Sequence, residues 1–302
     1  MALHSTFRMG GPADALVRPA DPESAALLLA EARAESMPLF VLGGGANILV
    51  GDKGIRGIVM DTAALRSIKV EAEAEGATEG AILIAGAGLS IDELCLEALA
   101  KGLGGIEDFC GMPGTVGGAV CMNARCYERE MSQVLAYVLS ADAEGRAERH
   151  EVAAGAASLA QGWSYKRSPY QAEGSAAGEF ILEAAFRMRR LDDEGAARTA
   201  RVMRERRADR EAKGHYRLPS AGSVFKNDRS FGAPTGKLLD GLGLRGKRIG
   251  GAMVSAWHAN IFVNAGNASA ADMRALIVLA QREARDKLGI ELESEVLMVG
   301  EF

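Results

Sequence analysis

Three segments of the 302-residue chain combine residue types that could hold or attack a ligand. Residues 43–47 read Gly-Gly-Gly-Ala-Asn, and residues 111–118 read Gly-Met-Pro-Gly-Thr-Val-Gly-Gly. Gly43, Gly44 and Gly45 let backbone N–H groups converge on an anion, and Asn47 adds a side-chain donor. Gly114, Thr115, Gly117 and Gly118 form a second such loop, stiffened by Pro113 and carrying the Thr115 hydroxyl. One glycine run after a strand is often only a turn. Two in one chain suggest a long ligand with a diphosphate. The third segment, 218–227, reads Leu-Pro-Ser-Ala-Gly-Ser-Val-Phe-Lys-Asn and places small residues before Ser223, so a substrate could approach its hydroxyl. There is no G-x-S-x-G elbow and no visible triad partner, so the residues alone support a hydroxyl near a ligand and no more.

Other chemical patterns fail their context. Residues 241–246 match GxGxxG by letter, but 237–240 before them look helical where the dinucleotide motif requires a strand. Residues 232–237 are one residue short of a Walker A loop and lack its Ser or Thr. Arg198, Arg201, Arg204, Arg206, Arg207 and Arg210 alternate with Glu205, Asp209 and Glu211 at helical pairing distances, which reads as a solvated, salt-bridged face. His258, beside an apolar run, reads as structural. The four cysteines are too few for a disulfide framework, and no ligand set completes a zinc spacing around Cys121 and Cys126. Buried free thiols, and no metal, are the expectation.

Composition narrows the class. Hydrophobic residues make up 48% and charged residues 25%, the balance of a globular chain with a real core. A net charge of −5 argues against a nucleic-acid partner. No apolar run is long enough for a membrane span, and the N-terminus has no signal-peptide h-region, so a cytoplasmic protein is expected. Glycine is enriched at 37 residues, which fits a chain that cradles something.

The elements that must position these segments alternate in type. Asp21 caps a helix that has Pro22 at its first position and ends before Pro38. A buried strand at 38–42 then leads into Gly43. Strands are predicted at 57–61, 67–71, 81–87, 119–122, 134–141 and 180–188, with a helix at 91–101 entered through Ser90 and left through Gly102. A charged helix is predicted at 196–213. Ser269 caps a further helix with Asp272 at N3, and Gly289 stops it. After it, Ile290, Leu292 and Val296 alternate with Glu291, Glu293 and Glu295, the pattern of a strand with one acidic face.

Seven blocks, in order, carry a family resemblance: STFRMGGPAD (5–14), LGGGANILV (42–50), GMPGTVGGAVCMNA (111–124), YKRS (165–168), PSAGSVFKN (219–227), GGAMVSAWHANIFVN (250–264) and IELESEV (290–296). The chain resembles the UDP-N-acetylenolpyruvoylglucosamine reductases, the MurB flavoenzymes of peptidoglycan synthesis, in their shorter second type. The resemblance implies an α+β fold. A FAD-binding fold of the vanillyl-alcohol oxidase type in two subdomains (1–56 and 57–195) would precede a C-terminal α/β substrate-binding domain (196–302). It implies that the glycine loops hold the FAD diphosphate. It also implies that NADPH reduces the flavin, which passes hydride to C3 of UDP-N-acetylglucosamine enolpyruvate. Ser223 then matches the proton donor to C2, and Glu295 the second catalytic residue. Lys166 stands where the family has arginine, keeping the charge and losing the bidentate fork. Arg167 is expected to point away from it on an extended segment. Lys213, Asn227 and Arg245 match contacts to the substrate diphosphate. A monomer is expected. Two alternatives are another oxidoreductase of the same flavin fold and a catalytically impaired homologue that binds flavin or UDP-sugar. Lys166 and the pair Arg125-Cys126, where Gly-Ala is common, keep the second alternative open.

Overall fold

The computed structural model describes residues 1–72, 80–152 and 162–302. The chain divides into two compact units, one of residues 15–44 and 57–207, the other of 1–14, 45–56 and 208–302.

The first unit opens with helix α1 (Pro22–Ala34), in which Asp21 accepts from Ser24 N and Pro22 needs no partner for its missing N–H. The strand Leu39–Leu42 follows and pairs in parallel with Ile55–Asp61, which also pairs with Ala13–Val17. A larger antiparallel sheet runs in the order Ala147–Glu151, Leu135–Ala141, Phe180–Arg190, Gly80–Gly86, Ile68–Ala72. On it pack helix α2 (Ile91–Ala100) and the short helix α3 (Val116–Cys121), around Leu83, Ile91, Leu94, Val120 and Phe186. The predicted capping box is present at α2, with Ser90 Oγ accepting from Glu93 N and the Glu93 carboxylate accepting from Ser90 N. Helix α4 (Asp193–Ala212) begins in this unit, and its Arg206 and Arg207 pair with Asp108 and Asp92.

In the second unit the sheet order is Ser220–Ser223, Ile261–Asn264, Ala252–Val254, Arg248–Ile249. Helix α5 (Thr235–Gly241) and helix α6 (Ala270–Leu288) complete it. Met273, Leu276, Ile277, Ala280 and Ala284 form the buried stripe of α6, packed with Phe225, Leu239, Val254 and Phe262. Ser269, Asp272 and Gly289 cap α6 as their spacing predicts, with Gly289 left-handed at φ +68°. The strand Leu297–Val299 pairs in parallel with Ile48–Val50.

Two expectations are corrected. Residues 119–122 form the end of α3 and its cap. Four apolar residues do not by themselves distinguish a strand from a buried helical turn. A Cβ on Gly117 would lie 2.9 Å from Ala87 Cβ, so glycine lets the helical turn seat closely against Ala87. Residues 290–296 keep their alternation, with Leu292 and Val296 buried and Glu291 and Glu293 exposed, without forming a strand. They meet residues 224–226 through an isolated antiparallel bridge, Phe225 to Ser294.

Candidate active site

In the first unit the two glycine loops interlock. A Cβ on Gly43 would stand 2.6 Å from Thr115 Oγ1, and one on Gly44 would stand 2.8 Å from Gly114 Cα. Real side chains do not approach backbone so closely, so the opposite loop confines position 44 to glycine, while at position 43 the Thr115 hydroxyl would have to turn away. The second loop is held from α2. Ile91 N donates to Gly114 O at 3.1 Å, Ser90 bridges Thr115, and Asp92 Oδ1 accepts from Gly111 N at 2.9 Å. Burial alone would raise the Asp92 pKa, but Arg207 and the Gly111 N–H hold it below the usual carboxylate range.

Thr115 takes the N-cap position of α3, yet its side chain makes no capping bond. Among the described residues its buried Oγ1 has no hydrogen-bond partner, and neither has Thr62 Oγ1 in the same unit. A buried hydroxyl without a partner costs about 1–3 kcal/mol, so such atoms point to a group that arrives from outside the chain. Two loops stripped of side chains, with an unused hydroxyl between them, fit the diphosphate of a dinucleotide cofactor. Thr62 carries no sequence signal, being a single threonine after a strand.

The Lys166 segment is also in this unit, and it is a turn. Ser164 and Arg167 exchange both backbone bonds, at 3.1 and 2.9 Å, around Tyr165 and Lys166. Lys166 is half-buried with φ +58°, a conformation that costs a non-glycine residue about 1–2 kcal/mol. The expected extended segment is therefore corrected. Arg167 is exposed and 3.5 Å from Glu173. Two neighbours of the second glycine loop tie the turn down. Asn123, fully buried, donates to Ser164 O at 2.8 Å, and Ser168 Oγ donates to Cys121 O at 2.6 Å.

In the second unit, Ser223 ends the strand Ser220–Ser223 opposite Ile261, after an irregularity in the pairing where Gly222 has φ +72°. The next residue bonds directly to the other candidate, since Glu295 N donates to Val224 O at 2.7 Å. Glu295 is half-buried, whereas Glu293 reaches out to Lys226 at 2.5 Å and Glu291 pairs with Arg285. Asn47 belongs to this same unit. Its Nδ2 donates to Glu295 O at 2.9 Å, and its carbonyl accepts from Leu297 N at 3.0 Å. Gly45, at φ +60°, packs against the backbone of His4 and Ser5.

Lys213 and Arg245 are exposed and paired with Asp209 and Asp240. Both act electrostatically on His258, which burial pushes below the ordinary histidine range and these two cations push further. Burial also lowers His215, to about 4, with Arg210, His258 and Lys213 adding to the effect. Two imidazoles therefore stay neutral beside two surface cations. The sequence marks neither histidine as part of such a group, because their neighbours come from separate segments. Asn227 is exposed, and its Oδ1 accepts from Thr235 N at 2.9 Å.

The cysteines are free, and burial raises the pKa of Cys95, Cys110 and Cys121. Among the described residues, no group of three or more His, Cys, Asp or Glu is arranged to hold a metal ion. No helix among them is long and apolar enough to cross a membrane.

A family model for a FAD binding domain matches residues 13–150, the stretch that contains both glycine loops. With its interlocked loops and its mix of helix and sheet, the chain carries a FAD binding domain within an α+β fold. A second family model, for the UDP-N-acetylenolpyruvoylglucosamine reductase C-terminal domain, matches residues 214–299. Enzymes of that name from Treponema denticola and from Anaeromyxobacter sp. (strain Fw109-5) are 38% and 40% identical to the chain. The alignments cover 99% of the chain and 91% of the first relative, and 100% of the chain and 87% of the second. The crystal structure of the Thermus caldophilus reductase superposes with a TM-score of 0.77 at 29% identity, over 99% of this chain and 96% of that one. The chain belongs to the UDP-N-acetylenolpyruvoylglucosamine reductase family.

Proposed function

We propose that this protein reduces UDP-N-acetylglucosamine enolpyruvate to UDP-N-acetylmuramate for peptidoglycan synthesis. NADPH is the reductant, and the protein acts as a cytoplasmic monomer. The observation that carries the reading is the bond from Glu295 N to Val224 O, which fixes the backbone of one candidate catalytic residue to the neighbour of the other.

FAD held by the glycine loops and reduced by NADPH would supply the hydride for C3 of the enolpyruvyl group. As the C–H bond forms there, the C=C pair moves toward C2 and the carboxylate. Ser223 gives its hydroxyl proton to C2 and regains one from solvent. A serine hydroxyl is a weak acid, so it needs the growing negative charge and a fixed position to act. Glu295 assists at the carboxylate or relays the proton. Lys166 supplies a positive charge near the carboxylate as a point charge, without the fork of an arginine. Lys213, Asn227 and Arg245 take the substrate diphosphate, and Gly43, Gly44, Gly45, Asn47, Gly114, Thr115, Gly117 and Gly118 hold the cofactor.

The test follows the visible spectrum of the purified protein under anaerobic conditions. NADPH should bleach the flavin bands, and UDP-N-acetylglucosamine enolpyruvate should restore them. Bleaching without recovery would overturn the substrate assignment and favour another acceptor. Failure to bleach with a full complement of flavin would overturn the choice of reductant.

A further inference from the structure

The strand Ile261–Asn264 stops one residue short of Asn260, and there the chain turns away, with Asn260 N donating to His258 Nδ1 at 3.2 Å. The facing segment continues past Ser223, so on this side, opposite the bridge to Ser294, the Phe225 N–H and C=O would be left without a strand partner where Phe225 is fully buried. The Asn260 side chain takes the place of that missing peptide. Its Oδ1 accepts from Phe225 N at 3.0 Å, and its Nδ2 donates to Phe225 O at 2.8 Å. Its main-chain carbonyl accepts from Val224 N at 2.8 Å. Asn260 is itself 1% exposed, so water does not compete for these bonds.

Ser223 sits between this clamp and the irregularity at Gly222. On its N-terminal side the pairing is shifted, which frees the serine from regular register. On its C-terminal side all three polar backbone groups of Val224 and Phe225 bound by Asn260 are fixed, and Val224 O is taken by Glu295 N. The backbone that follows the serine is thus held by the Asn260 carbonyl at Val224 N, by Glu295 N at Val224 O and by the buried Asn260 amide at Phe225.

We propose that Asn260 is a positioning residue for proton delivery, its side-chain amide holding residues 224–225 so that the Ser223 hydroxyl keeps its place relative to Glu295. This rests on the proton-donor role of Ser223 given above. The experiment compares the holoenzyme with Asn260→Asp, Asn260→Ala and Ser223→Ala, measuring each half-reaction by rapid mixing and the configuration at C2 of product made in D2O. Asn260→Asp keeps the side-chain shape and the acceptor but loses the donor to Phe225 O.

In both Asn260 variants, flavin reduction by NADPH should stay within about twofold, while reoxidation by substrate slows by about ten- to a hundredfold, more in the alanine variant. Deuterium should enter C2 with mixed configuration, because solvent replaces a displaced serine. A merely structural role would not separate the half-reactions or change the stereochemistry. Unchanged reoxidation in Asn260→Ala, equal slowing of both half-reactions, or failure of both Asn260 variants to fold would overturn the positioning role. If Ser223→Ala reoxidises at the parent rate, the donor assignment falls and Asn260 with it. If Ser223→Ala is slow and Asn260→Ala is not, only the positioning role falls.

Discussion

Around residues 43–44 and 114–118 the chain shapes a candidate site by leaving side chains out, whereas around residues 223–225 and 295 it shapes one by adding side-chain amides. In the first region a Cβ at Gly44 would fall 2.8 Å from Gly114 Cα, and the one hydroxyl present, on Thr115, bonds nothing. In the second, Asn260 bonds the backbone that follows the serine, and Asn47 bonds the carbonyl of the glutamate. The first arrangement suits a ligand that brings its own charge and oxygen atoms, since a bare backbone adapts to it at no side-chain entropy cost. The second suits a group that must move a proton, where a small misplacement of a weak acid removes most of its effect.

This contrast is broken most directly at Ser223. Ser223→Ala should slow reoxidation of reduced flavin by the enolpyruvyl substrate by about 10²–10⁴-fold and leave reduction by NADPH within about twofold. Rapid mixing of each half-reaction reads both. Equal loss in the two would mean that the second region serves the flavin as well, and the division would fail.

Gly44→Ala addresses the other region. The added methyl must push Gly114 away by several tenths of an ångström, so FAD affinity should fall by about ten- to a hundredfold in a titration of apoprotein. With FAD saturating, the reoxidation rate constant should stay near that of the parent. A defect confined to reoxidation would reverse the assignment of the two regions.

Thr115→Val sharpens the reading of the unused hydroxyl. Removing a buried polar atom without a partner should stabilise the apoprotein by about 1 kcal/mol, roughly 2–3 °C in Tm. The same change should weaken FAD binding by about two- to tenfold. These opposite signs separate a ligand contact from a packing role, which would lower both.

The two regions also differ in how far the sequence exposes them. The caps of α1, α2 and α6 are legible because each depends on residues a few positions apart, as with Ser269 and Asp272. The glycine loops are legible as loops, but their interlock joins residues some seventy positions apart and leaves no spacing to read. Residues 119–122 read as a strand and fold as a helical turn for a physical reason, since a short apolar run satisfies either. The Lys166 turn escapes prediction because a lysine at φ +58° violates local preference and is held by distant groups, Asn123 and Cys121 O. Asn260 lies in plain view within residues 250–264, but its partner Phe225 is thirty-five residues earlier.

The last contrast is a pH dependence in the second unit. His215 is held neutral in the folded chain, with its pKa lowered from 6.5 to about 4 by burial and by Arg210, His258 and Lys213, against a weaker opposing pull from Asp209. The unfolded chain takes up this proton near 6.5 and the folded chain does not until about 4. Its neutral form therefore contributes stability in full above pH 6.5, and that contribution is lost as the pH falls toward 4 and constant below. Thermal unfolding of parent and His215→Gln across pH 4–8 should show a Tm difference that shrinks or reverses below pH 6.5 and stays level above it. Adding UDP carries the comparison further. If Lys213 and Arg245 face a diphosphate, its negative charge offsets the cations beside His215 and His258 and raises both pKa values. The imidazole NMR signals should then titrate at higher pH with UDP than without. Signals that do not move would place the diphosphate away from this group and leave Lys213 and Arg245 as surface charges.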